Sequence, residues 1–587
     1  MEPSKLQSPE TLEFVSPIDT LPQDIHLQSV QRDSVGYATP ARPTGNLDLF
    51  QDLSSRVPGL HDLSSGARAA TNAEHKMTFL KACRVYPKAM AWSALASSTI
   101  IMEGFDLTLV NSFLASPAFQ NSYGSLASTV TGHQIPLAWQ SGLSNAAVSG
   151  EILGLFLNGY CTDRFGYHRT MVGALIWLSL SLFLFFFSIN VQMLLAAQIL
   201  CGLSWGIFQT MSTAYAAEVV PATLRPYLTS NINMCWLLGQ LCGVGVVYAF
   251  VNSQSEWAYR IPFGLQWAFV IPILLGMIFA PESPWWLVRH GRFDEAKESL
   301  RRLTSPGSED NFNVDETILM MRHTSEVEKH LNGSGLSYLD CFKGTSLRRT
   351  EIACVVWITQ SLSGSVLTGY AAYFFVQAGL PVTHAFHVAV GMYGAGIVGG
   401  ILSWIWLRRF GRRKLYLAGL SISFIILLGA GGISLMTKRK TVSWVLGSFV
   451  IAQTFCYDNT IGPVCYVLVA EIPSTRLRIR TIVLARVAYN ICSIVVNIIT
   501  LHMLNPTSWD WKGKSCFFFA GTTFCCLSWS YFRLPEPRGL TYLELDILFD
   551  KKASARKFEQ FQKKLASSGY FSLAPVARPE SLWWGYS

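Results

Sequence analysis

The sequence predicts an all-α membrane protein of twelve transmembrane helices, arranged as two pseudo-symmetric six-helix halves. Three observations carry that expectation. Half of the 587 residues are hydrophobic and only 14% are charged, against about 25% charge in a soluble globular chain; the mean hydropathy is +0.30. Twelve apolar stretches follow one another at 90–114, 138–160, 170–189, 192–214, 229–252, 261–280, 350–376, 384–407, 414–435, 442–469, 481–503 and 515–533, each near the 20 or so residues that cross a bilayer. Three short polar signals in the first half recur about 250 residues later.

Taken in order, residues 1–75 are polar, carry several Pro and Ser and show no period, so a disordered tail without a secretory signal is expected. An amphipathic segment, 73–93, leads into the first span of a six-helix half covering 76–280. That span contains Glu103 and Asp106. Glu103 falls about 20 Å along the helix, at about 1.5 Å per residue, and Asp106 shares its face at a spacing of three. Two carboxylates at membrane depth are expensive, and such groups face a cavity, a partner or a proton path. Thr108, Asn111 and Ser112 extend the polar character. The loop 115–137 holds no Lys or Arg and is long enough to cover an entrance.

The recurring signals come next. Asp163-Arg164-Phe165-Gly166 joins spans two and three, and Arg409-Phe410-Gly411-Arg412 joins spans eight and nine. Ala217-Glu218 through Arg225 follows span four, and Ala470-Glu471 through Arg478 follows span ten. Pro281-Glu282-Ser283-Pro284 follows span six, and Pro535-Glu536-Pro537-Arg538 follows span twelve. Between the halves, 281–349 is polar, with helical character around 293–300; short helices are expected there. The second half covers 350–533, with a tail at 534–587 whose residues 540–549 are amphipathic. The Asn332-Gly333-Ser334 glycosylation pattern is discounted, because this loop lies on the cytoplasmic side.

Lys and Arg concentrate in alternate loops, as the positive-inside rule requires. Both termini are therefore expected in the cytoplasm, although Lys438, Arg439 and Lys440 fall on the other side. This distribution accounts for the net charge of +9 without nucleic acid. The thirteen cysteines are scattered, imply no disulfide framework and suggest small apolar packers. No metal or cofactor site is expected, and no nucleotide loop or nucleophile arrangement suggests an enzyme.

Several stretches carry a specific resemblance: EGFDLTLVNSF (103–113), QSLSGSVLTGYAAYFFVQAGL (360–380), IGPVCYVLVAEIPSTRLRIRT (461–481), MLNPTSWDWKGK (503–514) and TYLELDILF (541–549). Together they resemble the sugar porters of the major facilitator superfamily, and most closely the fungal maltose/α-glucoside:proton symporters, over about 73–558. The resemblance implies a central cavity and coupled uptake of sugar and protons by alternating access at the plasma membrane. It ties Glu103, Asp106, Glu151 and Arg486 to proton coupling. The sequence departs from the pattern at Phe105, where Tyr is usual, at Gln198, where many sugar porters carry Arg, and at the Pro-Glu-Pro-Arg-Gly of 535–539.

Residue chemistry gives the same groups roles. Three acids and one arginine at membrane depth cannot pair one to one, so a carboxylate poised between burial and a nearby Arg can take and release a proton; a static Glu151–Arg486 pair is the alternative. Asp458, in span ten, is either a further acid of this kind or a cap on a helix break before Gly462-Pro463. A sugar needs convergent donors and acceptors beside an aromatic platform. Gln240, Gln360, Ser363, Tyr370, Tyr373, Tyr466 and Asn490 fit, with Gln240 and Gln360 at positions resembling sugar contacts. Asp163, Arg164, Glu218, Arg225, Glu282, Arg409, Glu471, Arg478 and Glu536 are expected to form ion pairs closing the cytoplasmic side in one state. The expected partners are a small sugar, protons and the lipid bilayer, and the expected oligomeric state is a monomer. The alternatives are a same-fold carrier of a hexose, polyol or glycosylated metabolite, uncoupled or exporting, and a sensor, which the short C-terminal tail disfavours.

Overall fold

The computed structural model describes residues 77–560, apart from 129–131, 222–223, 306–312, 323–337, 378, 437–439, 474–476, 538–544, 546–547, 550–553 and 559. The tail 1–75, the glycosylation pattern, Lys438, Arg439 and most of 540–549 lie outside the described residues.

Helices occupy all twelve expected positions. A short helix, Phe79–Val85, precedes the first span, Pro87–Phe113, which is interrupted at Ser98. Spans two to six are Leu137–Phe165, Tyr167–Phe186, Val191–Val219, Arg225–Ala249 and Trp257–Ile278. Span seven begins at Gly344–Gln360 and ends at Ala371–Gln377; spans eight and nine are Val382–Arg409 and Arg412–Ser434. Span ten is split into Lys440–Asn459 and Ile461–Glu471, and spans eleven and twelve are Arg478–Leu504 and Ser515–Arg533. Most run several residues past the apolar stretches, because a helix continues into its polar flanks until a breaker stops it. Among the described residues, nine helical segments are long and apolar enough to cross a membrane. The other three fall short for separate reasons: span two carries Gln140, Asn145, Glu151 and Asn158, span ten breaks at Thr460, and span twelve is diluted by Thr522, Thr523, Ser528, Ser530 and Tyr531.

The surface confirms the solvent. Val398, Ile401 and Ile405 on span eight, and Ile491, Val495 and Ile498 on span eleven, form exposed apolar stripes at helical spacing. A water-soluble helix would bury such stripes, whereas a lipid-facing one displays them. Packing within the halves is close where glycines face one another. A Cβ on Gly202 would stand 2.1 Å from the Ala147 carbonyl, and one on Gly206 2.2 Å from the Glu151 carbonyl, so span four lies directly against span two.

The two halves meet along two seams, span two with span eleven and span five with span eight. One end of the bundle carries the recurring polar signals and is called the motif face here. The opposite, hairpin face carries the 115–137 loop, which folds as a short helix, Pro117–Tyr123, and a two-stranded hairpin, Ser125–Ser128 with Gly132–Gln134. The hairpin was not expected. On the motif face, the linker contributes the short helices Pro284–Arg289 and Phe293–Leu303.

Candidate functional site

Three of the four membrane-depth ionisable groups come together on the seam. Arg486, from span eleven, places Nη2 3.7 Å from Glu103 Oε1 and 3.6 Å from Glu151 Oε2. All three are at least 95% buried. These separations exceed hydrogen-bond length, so charge rather than a fixed bond holds the cluster. The direct bonds go to neutral amides. Gln209, on span four, donates through Nε2 to both Glu103 oxygens at 2.8 Å, and Asn490 donates to Glu151 at 3.1 Å. The Arg486 guanidinium lies 4.9 Å from the Trp357 ring centre and 4.5 Å from that of Tyr489, cation–π distances that steady it without a third carboxylate.

Asp106 is not part of this cluster, a correction to the shared face read from its spacing. Asp106 turns into the interior of the first half, where Gln266 of span six donates to its Oδ1 at 2.9 Å. The 60° between positions three apart on a helix is enough to send Glu103 to the seam and Asp106 to spans four and six.

The expected sugar-contact residues divide by environment. Tyr466 lines an open cleft with Gln209, Thr210, Thr213, Trp357 and Arg486, and its ring meets Trp357 edge-on at 5.0 Å. Asn490 is committed to Glu151. Gln360 is buried and reaches the Gly462 carbonyl at 3.4 Å. Span seven is broken beyond it by a wide turn, Ser361–Ser365, whose Gly364 has φ +94°. Ser363 donates to the Gln360 carbonyl at 3.1 Å, so its hydroxyl serves the break itself. Tyr370 is buried facing Ser144, and Tyr373 is buried facing Gln140, both nearer the hairpin face. Gln240 is half-buried on span five. Asp458 is buried two residues before the break at Thr460 and accepts from Asn233 at 3.4 Å.

On the motif face the polar signals form one cluster per half, and the two correspond. Glu282 accepts from the backbone N–H groups of Tyr167 and His168 at the start of span three, at 2.9 and 3.1 Å. Glu536 accepts from those of Arg412 and Arg413 at the start of span nine, at 2.9 and 3.1 Å. Glu218 pairs with Arg289 at 2.6 Å, and Glu471 with Arg412 at 3.0 Å. Burial holds the Glu282 carboxyl above the usual carboxylate range, against the pull of its N–H donors. Both of these ion pairs lie within a half. Asp163 and Arg409 are exposed, Arg164 donates to Tyr160 at 2.8 Å, and Arg225 opens span five. The side chain of Arg478 lies outside the described residues.

Besides Asn490–Glu151 and Asn233–Asp458 deeper in the bundle, two contacts join the halves toward the hairpin face. Asn497 donates to Asn145 at 3.1 Å, and Tyr248 meets His387 at 2.5 Å. The cavity lies on the other side of the cluster, among the motif-face ends of spans four, ten and eleven. The molecule is therefore closed toward the hairpin face.

Sequence reasoning missed Gln209, Gln266 and Trp357. Gln209 recurs with Gln198 and Trp205 at helical spacing on span four, a polar stripe in an apolar helix that was legible. Trp357 gave no such signal.

Two bundles of six helices with ionisable groups on their seam define a membrane transporter. Over residues 92–549 the chain matches the family described as Sugar (and other) transporter, and it belongs to that family. An alpha-glucosides permease of Saccharomyces cerevisiae is 40% identical over 515 residues, covering 86% of this chain and 85% of that one. A general alpha-glucoside permease of the same yeast is 39% identical over 532 residues, covering 90% and 85%. Among solved structures, the proton:xylose symporter XylE bound to 6-bromo-6-deoxy-D-glucose superposes with a TM-score of 0.66 at 20% identity, covering 79% of this chain and 98% of that one. That likeness establishes the major facilitator fold.

Proposed function

We propose that this transporter carries α-glucosides such as maltose into the cell together with protons, across the plasma membrane, by alternating access. The observation that carries the reading is Arg486 standing between Glu103 and Glu151 on the seam. With both acids ionised the cluster bears one net negative charge; a proton on either neutralises it. A neutral cluster is cheaper to enclose between apolar halves than a charged one, so proton binding favours the rocking step that loaded carrier must make. Tyr466, Trp357 and Gln209 line the cavity beside these groups and are the proposed sugar contacts, with Gln360 behind them and Gln240 on span five. Ser363, Tyr370, Tyr373 and Asn490 act one step removed, by shaping the span-seven break, the hairpin-face closure and the Glu151 position.

The motif face is the cytoplasmic side, which puts both tails and the 281–349 linker inside and the hairpin outside. The structure then represents an inward-facing carrier. Glu218, Glu282, Glu471, Glu536 and their partners hold the motif-face helix ends within each half. Asp163, Arg164, Arg225, Arg409 and Arg478 meet across the cavity mouth when that side closes. The carrier acts as a monomer in the bilayer.

The energetics suffice. One charge moving through 100 mV yields about 2.3 kcal/mol, and two pH units add roughly 2.7 kcal/mol. At about 1.4 kcal/mol per tenfold, together they sustain a sugar gradient above a thousandfold.

The test uses cells lacking their own sugar permeases and expressing this chain. Maltose should alkalinise the medium, and Glu103→Gln and Asp106→Asn should abolish this at unchanged surface level. Surface-expressed protein that takes up no maltose would refute the substrate, and uptake of another sugar or a polyol would replace it.

A further inference from the structure

Asp106 belongs to a second polar site, separate from the seam cluster and enclosed within the first half. Three side chains face its carboxyl: Gln266 from span six, and Gln198 and Trp205 from span four. All four residues are at least 99% buried. Only one of the possible bonds is made, from Gln266 Nε2 to Asp106 Oδ1. Asp106 Oδ2, Gln266 Oε1, Trp205 Nε1 and both amide atoms of Gln198 have no hydrogen-bond partner. Gln198 and Trp205 thus face the carboxyl without reaching it.

Buried polar atoms are rarely left unpaired, and a cluster of them around one carboxyl is a site of defined chemistry. The donor set identifies the occupant. An indole N–H can only donate, and Gln198 supplies a second N–H. Asp106 Oδ2 and Gln266 Oε1 can only accept. Only one end of the Gln198 amide can meet a given water; with its N–H turned in and its Oε1 left out of the count, two donors and two acceptors remain, the complement of a single water, which accepts two hydrogen bonds and donates two. A bare metal cation fits poorly, because the Trp205 N–H would point its positive end at the ion. Among the described residues no Lys or Arg forms an ion pair with Asp106. The other titratable neighbour is the Cys201 thiol, on the same face of span four.

The geometry points to an internal water-binding site formed by Asp106, Gln198, Trp205 and Gln266, whose water passes the proton to and from Asp106. A proton arriving on this water moves to Oδ2, which becomes a neutral carboxyl and leaves a neutral water. The reverse step returns the proton to the water. Trp205 and Gln198 are positioning residues: they hold the water's lone pairs so that its hydrogens face Oδ2 and Gln266. The inference deepens the symport reading and rests on Asp106 carrying a proton. It gives the carrier a proton-binding centre that does not lie on the seam.

The experiment is infrared difference spectroscopy on the purified full-length carrier, between acidic and neutral pH, in ordinary water and in water enriched in oxygen-18. The wild type should show a water O–H band that shifts with the isotope. Trp205→Phe should remove it, and Trp205→His, which keeps a ring N–H, should retain it. In vesicles, Trp205→Phe should lower maltose accumulation about tenfold relative to maltose counterflow, the effect of losing one hydrogen bond on a charged or charging group. Absence of an isotope-sensitive band in the wild type overturns the proposal, whatever the variants do. So does a band untouched by Trp205→Phe, or uptake that requires sodium or potassium, which would make this a cation site. Loss of maltose-dependent alkalinisation with the band intact would instead count against the transport reading alone.

Discussion

Arg486 gives the sharpest test of the seam cluster. Its guanidinium lies 3.6 and 3.7 Å from two carboxylates. At an effective dielectric near 20, each contact corresponds to about 4 to 5 kcal/mol of attraction, before the cost of burying the charges. Arg486→Gln removes both attractions and leaves Glu103 and Glu151 facing one another in a buried site. Breaking a buried pair in this way costs about 3 to 5 kcal/mol. Two carboxylates so placed hold a proton between them, which the cytoplasmic side cannot then release. The single variant should fall in thermal stability and should lose sugar accumulation. Adding Glu151→Gln removes the uncompensated acid, so the double variant should recover much of the stability while remaining unable to accumulate sugar. A thermal-unfolding double-mutant cycle in detergent should give a coupling of about 2 to 3 kcal/mol, as for contacting residues. Additive effects, with coupling under about 0.5 kcal/mol, would show that the two groups act independently and would refute the cluster as a unit.

Gln209→Leu removes two 2.8 Å bonds to Glu103; at about 1.5–3 kcal/mol for hydrogen bonds to a charged group, initial uptake should fall about tenfold to a hundredfold. Gly206→Val places a side chain where a Cβ already lies 2.2 Å from the Glu151 carbonyl; spans two and four must separate, and surface expression measured by labelling should collapse, whereas the same change at Gly173, which has open space around it, should be tolerated. Tyr248→Phe loses the 2.5 Å contact with His387 across the seam, so a cysteine placed below it should react faster with an external thiol reagent. Glu282 binds its proton more tightly folded than unfolded, because burial raises its carboxyl above the usual range. Its contribution to stability is therefore full below the ordinary Glu value near 4.3 and is lost as pH rises through the folded value. Acidifying from about pH 7 to about pH 4.5 should raise the thermal midpoint of the wild type relative to Glu282→Gln.

The fold was legible because lipid imposes a simple rule. A span must be apolar for about 20 residues, so twelve helices could be counted, and the repeated Glu218/Glu471 and Glu282/Glu536 signals marked the halves. The breaks were harder. Gly364 at φ +94° breaks span seven inside a Ser-rich run that marks no single residue, and only the kink at Thr460 was foreshadowed, by Asp458 ahead of Gly462-Pro463. The 115–137 loop gave no alternation from which its hairpin could be read. In the site, the ionisable residues announced themselves by their cost, since an acid or an arginine in an apolar span is too expensive to persist without a task. Their neutral partners were less plain. Gln266 gave no signal, Gln209 only a polar stripe on span four, and Asn490 was read as a sugar contact; only the fold shows which carboxylate each one serves. The separation of Asp106 from Glu103 depends on which helices surround span one, and spacing along a single helix cannot supply that.

The arrangement of contacts also says why the charges sit where they do. Toward the hairpin face the halves are joined by a neutral amide pair, Asn145 with Asn497, and by Tyr248 with His387. A neutral bond is broken on opening at little net cost, because water replaces the lost partner. On the motif face, the described ion pairs lie within each half and keep the helix ends intact while the mouth opens. The Glu103–Glu151–Arg486 cluster lies between these regions, buried, with its charges 3.6 and 3.7 Å apart and one direct bond across the seam, from Asn490 to Glu151. In the proposed cycle its protonation biases both faces through the same rocking motion, and no relay along the chain is required. In the proposed symport cycle, a cluster whose arginine lies beyond hydrogen-bond length from both acids can change its net charge without first breaking a short Arg–carboxylate bond, which suits a group proposed to load and unload a proton. A bidentate Arg–carboxylate pair at about 2.8 Å would be stronger and would serve this purpose less well.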